Sequence, residues 1–284
     1  MKVAFQGERG AFGELAVVEY FGRKAEPAPV AQFIDVFKAV ETGRAKYGMI
    51  PIENSLAGSI HQNYDSLRET HLFIVGEILL RISHYLLVNP GVCRRDIRRV
   101  FSHPQAIAQC RKYLSRFPRL EIVPCPNTAA GAKMIRDNGL RDAAAIASRQ
   151  AMIDYGMACL AKNIEDNRMN MTRFLVLSKR PSVKKRRHGA MKTSIVFSTK
   201  DIPGALFKAL SVFALRDINL YKIESRPMHG KGFEYIFYLD FEGDAADEAQ
   251  RNAINHLKEI TSYYRMLGSY PVGRIVHPEY RKRR

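Results

Sequence analysis

The chain has 284 residues, 46% hydrophobic and 26% charged, which is the length of two domains or one large one and an ordinary globular composition. Its net charge of +17 raises nucleic acid as a partner, but the excess sits in residues 179–192 (seven Lys/Arg, no acid) and 274–284 (five against Glu279), which read as solvated linker and tail, so no nucleic acid is expected. No apolar run approaches the ~20 residues of a membrane span, and cysteines at 93, 110, 125 and 159 lack CxxC or His-paired spacing, so free thiols are expected and a zinc site is not.

The N-terminal residues enter a strand at Val3-Ala4-Phe5 without a secretory or transit pattern, which points to a cytoplasmic protein. That strand ends at Gly7-Glu8-Arg9-Gly10-Ala11-Phe12-Gly13, ahead of an amphipathic helix carrying Leu15, Val18 and Phe21. A glycine turn between strand and helix can set N–H groups against an anion, but GxxGxxG is not the dinucleotide fingerprint GxGxxG. A helix over 31–43 follows, then a strand over 47–52. Pro51 implies that this strand ends there or lies on a sheet edge. Glu53, Asn54 and Ser55 then fall at its C-terminal end, the ligand edge of an open α/β sheet.

Strands over 73–82 and 85–88 precede an Asn89-Pro90-Gly91 turn. Val100-Phe101 leads to Ser102-His103-Pro104-Gln105, which caps a helix running towards Leu114. His103 reads as a turn-and-cap residue, with a catalytic base as the alternative. Ile122-Val123 is a strand, Asn127-Thr128 caps a helix of small residues, 143–147 is a buried strand, and Ser148 caps a helix over 149–155. Strands alternating with helices at this spacing predict parallel α/β units.

A dense polar run then begins at Asn163 and turns into the apolar strand Leu175-Val176-Leu177. A strand entered through such a run opens onto a surface or a cleft. If residues 172–174 are extended, Thr172 and Phe174 face one way and Arg173 the other. Arg173 is therefore expected to hold an acidic side chain, with direct substrate contact as the alternative.

Beyond the basic linker the pattern is βαββαβ: strand 193–198, helix 203–215, strand 218–225, strand 233–241, helix 245–260 and a last strand near 263–270. This is a ferredoxin-like unit. Lys231-Gly232-Phe233-Glu234-Tyr235-Ile236-Phe237-Tyr238 nearly fits the RNA-recognition consensus, so the rival of another class is a non-enzymatic binder, either a small-molecule-binding protein or an RNA-binding regulator. Glu234 puts a negative charge beside the stacking face, and Ile195-Val196-Phe197-Ser198 lacks an aromatic where the partner motif needs one.

Asn170-Met171-Thr172-Arg173-Phe174 following Asn163-Ile164-Glu165-Asp166 resembles the signature of the prephenate dehydratase family. Gly48-Met49-Ile50-Pro51-Ile52-Glu53-Asn54-Ser55-Leu56-Ala57-Gly58, Ser102-His103-Pro104-Gln105-Ala106 and Ile223-Glu224-Ser225-Arg226-Pro227 resemble further family motifs, in the family's order. Ile202-Pro203-Gly204-Ala205-Leu206 with Glu224-Ser225-Arg226-Pro227 resembles the ACT regulatory domain. The resemblance implies an α/β protein with a two-lobed periplasmic-binding-protein-like catalytic domain at 1–180. Its lobes would be 1–78 plus 164–180 and 80–160, with the chain crossing between them twice. A ferredoxin-like ACT domain would follow at 193–272, and a basic tail at 273–284.

The same resemblance implies decarboxylating dehydration of prephenate to phenylpyruvate in L-phenylalanine biosynthesis, with arogenate as the alternative substrate. It also implies a homodimer or homotetramer, no cofactor, and phenylalanine as an allosteric effector held by Gly204, Ala205, Leu206, Asn219, Leu220, Glu224 and Ser225. Hydroxide departure is the difficult part of such a reaction near neutral pH, so one aligned hydrogen-bond donor should matter most. Thr172 is the candidate. Asn54, Ser55, Thr128, Asn163 and Asn170 are neutral donors suited to carboxylates, Arg173 is a further substrate-site candidate, and Phe174 is placed to pack against the ring. Glu53, Glu165 and Asp166 lack a His or further acid at metal-ligand spacing, so no metal is expected. The family usually has a hydroxyl residue where this chain has Gly13.

Overall fold

A computed structural model describes residues 1–182, 189–228 and 235–278. The first elements are β1 (Lys2–Gln6), α1 (Phe12–Phe21), β2 (Glu26–Val30), α2 (Phe33–Glu41), β3 (Tyr47–Asn54), β4 (Gly58–Ser59), α3 (His61–Glu69) and β5 (Phe73–Arg81). The chain then builds β6 (Tyr85–Val88), β7 (Arg99–Ser102), α4 (Pro104–Gln109), α5 (Arg111–Leu114), β8 (Glu121–Pro124), α6 (Thr128–Asp137), β9 (Ala143–Ala147), α7 (Arg149–Asp154) and β10 (Ala158–Lys162). It returns through β11 (Met171–Ser178). The last elements are β12 (Met191–Thr199), α8 (Ala205–Ala214), β13 (Leu220–Pro227), β14 (Tyr235–Glu242), α9 (Glu248–Ile260), β15 (Thr261–Pro271) and β16 (Ile275–Val276).

Three sheets result. The first has the order β16-β5-β11-β3-β1-β2 with β4 beside β3, and β1 pairs in parallel with both β2 and β3. The second, β10-β6-β9-β7-β8, is parallel at β9-β7-β8 and antiparallel at β10-β6-β9. The chain passes from the first α/β lobe to the second after β5 and returns after β10, the two-crossing periplasmic-binding-protein-like arrangement expected. The second lobe closes on Leu86, Val88, Val100, Ala106, Cys110, Ala144 and Ile146. Its all-apolar strand Ala143–Ala147 is buried at every residue, as a strand covered on both faces must be.

The third sheet, β13-β14-β12-β15, is antiparallel with α8 and α9 packed on it. Ile195, Phe197, Val212, Phe213, Leu239, Phe241, Ile254 and Leu257 form its core, the ferredoxin-like unit expected. Residues 231–234 of the RNA-like motif lie outside the described residues. Of its aromatics that are described, Tyr235 is exposed while Phe237 and Tyr238 are buried and present no stacking face.

Contacts divide the chain into two compact units: Met1–Asn63, Ile78–Phe174 and the chain from Arg274 form one, Tyr64–Glu77 and Leu175–Gly273 the other. Segments 64–77 and 175–180, expected in the first lobe, therefore group with the ferredoxin-like unit. Side chains of that unit explain why. Arg265 donates to the carbonyls of Leu67, Arg68 and Leu72, and the Tyr238 hydroxyl donates to Tyr64 O at 2.8 Å. Lys192 Nζ lies 2.7 Å from Glu77 Oε1, with the carboxylate side chain fully buried.

Several local expectations need correction. β3 runs through Pro51 and is an interior strand; its recorded pairing with β1 ends at Met49, so the missing N–H breaks no bond on that side. The helix expected to run to Leu114 breaks at Cys110, where the Gln109 carbonyl accepts instead from Asp166 N–H at 2.7 Å. The tail contributes a strand, with Ile275 and Val276 pairing in parallel with Leu79 and Leu80. Residues 183–188 of the linker and 279–284 of the tail lie outside the described residues.

Candidate functional site

A cleft of about 480 Å³ lies among both lobes of the first unit. Thr172, Phe174 and Asn54 line it from the C-terminal end of β3 and the start of β11. Phe12, Phe33, Met49, Ile60 and Ile82 supply an apolar wall, and Gln105, Gln109, Asn127 and Thr128 a polar one. Alternation along β11 works as the sequence implied: Thr172 and Phe174 face the cleft, while Arg173 Nη1 lies 4.0 Å from Glu53 Oε2.

Backbone groups set the orientation of the polar network. Leu56 N–H and Ala57 N–H both donate to Asn54 Oδ1, at 3.1 and 3.0 Å, so the Asn54 amide can point only one way. Its Nδ2 then faces Asn170 Oδ1 (2.8 Å), Met171 O (3.0 Å) and Thr172 Oγ1 (3.0 Å). Gln109 Nε2 also donates to Asn54 Oδ1 (3.2 Å), which turns Gln109 Oε1 towards Asn170 Nδ2 and His84 Nε2, each at 2.9 Å. An amide oxygen only accepts, so His84 carries its hydrogen on Nε2. Burial pulls the His84 pKa down, against the smaller effects of the Gln109 hydrogen bond and the Glu165 charge, so its ring is neutral.

The consequence for Thr172 is direct. Its oxygen accepts from Asn54, and its own hydrogen has no acceptor among the described residues. With the residue 8% exposed and facing the cleft, that hydrogen is available to whatever enters.

Among the described residues, no Asp, Glu, Lys or Arg lines the cleft. Positive potential comes from backbone dipoles: the N-terminal residues of α1 (Phe12, Gly13) and α6 (Thr128) both lie in the lining. Asn127 caps α6 by accepting from Ala130 N–H at 2.8 Å, which leaves its amide nitrogen as a further donor. His103 caps α4 through Nδ1, accepting from Gln105 N–H at 3.2 Å, so its hydrogen is on Nε2. Burial lowers its pKa as well. The cap reading of His103 holds, and the residue also lines the cleft.

The other candidates are placed less centrally. Asn170 is fully buried behind Asn54, outside the lining. Ser55 is exposed, with its hydroxyl donating to Met169 O and accepting from Met171 N–H, so it fixes the loop at the mouth. Asn163 lines a different recess, with Arg81, Ser83, Tyr85, Arg168, His277 and Pro278. Gly13 lines the cleft, and a Cβ there would come 3.2 Å from Phe5 Cδ2.

A family model for prephenate dehydratase matches residues 3–182, and one for the ACT domain matches 193–254. The chain belongs to the prephenate dehydratase family. It is 47% identical over 281 residues to arogenate dehydratase/prephenate dehydratase 2, chloroplastic, of Arabidopsis thaliana, covering 96% of this chain and 73% of that one. Among solved structures it resembles prephenate dehydratase of Arthrobacter aurescens in complex with L-Phe, with a TM-score of 0.87, 34% identity and coverage of 95% and 90%. It resembles equally a structure described as GqqA, a novel type of quorum quenching acylase, with a TM-score of 0.87, 34% identity and coverage of 96% and 98%.

Family membership directs attention to the ferredoxin-like unit as well. A recess of about 290 Å³ there is lined by Ile202, Gly204, Ala205, Leu206, Phe207 and Tyr235, among others. Gly204 is the N-cap of α8 at φ +74°, a backbone state that glycine reaches without strain. Asn219, Leu220, Glu224 and Ser225 do not line this recess; Glu224 pairs with Lys222 at 3.3 Å, and Asn219 O accepts from Glu242 N–H. Gln109 and His84 were missed from the sequence. Gln109 sits at the end of a short helix, and nothing local marks it; its role comes from contact with Asn54, 55 residues earlier.

Proposed function

We propose that the chain is a dehydratase that converts prephenate to phenylpyruvate, CO₂ and water. The observation that carries this reading is the Thr172 hydroxyl, held as a donor by Asn54 and facing a neutral cleft. Prephenate carries two carboxylates and a ring hydroxyl. Loss of CO₂ leaves its electron pair to complete the aromatic ring as hydroxide departs from the opposite carbon. Aromatisation supplies the driving force, so the barrier lies in charge developing on the departing oxygen. A hydroxyl donor aimed at that oxygen stabilises the transition state more than the ground state, which is the condition for raising kcat. One proton taken up from the medium then converts the departing hydroxide to water, so phenylpyruvate monoanion, CO₂ and water balance prephenate dianion plus a proton.

Helix N-termini and neutral amides suit the carboxylates, because they bind anions without a fixed cation that would hold substrate and transition state alike. Phe174, Phe12 and Phe33 offer apolar surface for the ring. Thr172 is arranged as a donor, and among the described residues its hydroxyl donates to no base that would activate it as the nucleophile amide hydrolysis needs.

The C-terminal unit is read as the sensor of phenylalanine, with Gly204, Ala205 and Leu206 at its recess. Exposed Phe207, Leu215, Ile202, Tyr221 and Ile223 on this unit support pairing with a second copy. The test is to give the purified chain prephenate and arogenate separately and follow phenylpyruvate and phenylalanine, with and without added phenylalanine. Turnover of prephenate that added phenylalanine suppresses is expected; turnover of neither substrate would remove the reading.

A further inference from the structure

Alternate residues of the first crossing between the lobes face opposite sides. Ile82 and His84 line the large cleft, whereas Arg81, Ser83 and Tyr85 line the separate recess of about 360 Å³. The return crossing adds Asn163 and Arg168, and His277 stands beside them. Every one of these polar side chains carries an N–H or O–H donor, and among the described residues no carboxylate lines the recess.

The donors are not used up. Arg81 spends Nη2 on Glu165 at 2.9 Å, but its Nε is buried without a hydrogen-bond partner among the described residues. Glu165 itself is turned away, its second oxygen accepting from His84 N–H at 2.9 Å. Asn163 is held at φ +53°, in the left-handed region that non-glycine residues rarely occupy. The signature residue Asn163 thus serves this recess and not the cleft.

We propose that the recess binds a small oxyanion of the phosphate type, seated against both chain crossings on the side away from the substrate cleft. Arg168, exposed at the recess, supplies the charge, while Ser83, Tyr85 and Asn163 supply directed donors. Such an ion ties the two crossings together. It shifts the opening of the lobes only by the difference in its affinity for their two states.

The test is isothermal titration of inorganic phosphate into the full chain, at ionic strength held constant with chloride so that screening does not change. Methyl phosphate is titrated in parallel. Saturable binding of either supports the site, and the tighter one tells free phosphate from a phosphorylated metabolite as its source. Arg168→Ala is expected to weaken binding by about tenfold or more, while unfolding at the wild-type temperature without phosphate. Thr172→Val, which changes the cleft and leaves no buried donor unpaired, is expected to leave phosphate binding intact. Absence of saturable heat, or equal binding by wild type and Arg168→Ala, overturns the proposal. Loss of binding in Thr172→Val overturns it too, since the anion would then occupy the cleft.

Discussion

Replacing Thr172 by Val removes one hydroxyl and little else. Valine nearly matches threonine in shape, and the residue is 8% exposed, so packing should survive. Asn54 Nδ2 has two hydrogens and three nearby acceptors; losing Thr172 Oγ1 leaves Asn170 Oδ1 at 2.8 Å and Met171 O at 3.0 Å. No buried donor is orphaned, so stability should fall by no more than about 1 kcal/mol. The transition state, in contrast, loses its aligned donor, a deletion worth about 10²–10³ in kcat. Thr172→Ser keeps the hydroxyl and should fall between wild type and Val, while Thr172→Ala should resemble Val in kcat. The assay is initial-rate phenylpyruvate formation at saturating prephenate, alongside thermal unfolding of each variant. Wild-type kcat in Thr172→Val would refute the assignment of Thr172 as donor.

Lys192→Met leaves the Glu77 carboxylate buried without its ammonium partner at 2.7 Å, and should cost about 3–5 kcal/mol in urea unfolding; a loss below about 1 kcal/mol would contradict the pairing. Gly10→Ala should destabilise by about 2–5 kcal/mol, because Gly10 sits at φ +80° and a Cβ would lie 2.6 Å from Ala151 Cα; an unchanged denaturation midpoint would contradict that close approach. His84 and His103 both have pKa values lowered by burial from 6.5. Below 6.5 the unfolded chain therefore binds more protons than the folded one, and stability should be lost as pH falls from that value towards the lowered pKa values. Thermal unfolding from about pH 8 down to about pH 5 checks this, and a chain that became more stable on acidification would contradict it.

Local chemistry explains what the sequence made legible. Asn127 and Ser148 accept the hydrogen bonds expected of helix caps, and the period of two along Thr172-Arg173-Phe174 sorted cleft from exterior. What stayed hidden depends on partners distant in the chain. β2 reads Glu-Pro-Ala-Pro-Val, and its prolines mask a strand that they confine to the sheet edge. α3 is polar along most of its length, with Tyr64 and Leu67 as its main buried anchors. The basic C-terminal segment signals solvation, yet Ile275 and Val276 find the open edge of β5. Asn163 shares a signature with Thr172 but stands on the other side of the crossing.

The domain boundaries also bear on how regulation should be probed. A chain cut after Arg180 would leave Glu77 without Lys192 and Tyr64 O without the Tyr238 hydroxyl, so loss of activity after truncation would report unfolding as readily as lost control. Substitutions at the recess beside Gly204 leave those contacts in place.

On the function proposed above, the neutral cleft around Thr172 removes CO₂ and hydroxide from one prephenate molecule in a single elimination. Its most direct test is a single-turnover reaction of excess purified chain with prephenate, quenched over time and analysed for both products. Phenylpyruvate and CO₂ are expected to appear together, one of each per prephenate consumed, and Thr172→Val is expected to slow both equally. Prephenate left unchanged by the wild-type chain, or consumed without equal amounts of CO₂ and phenylpyruvate, would contradict it.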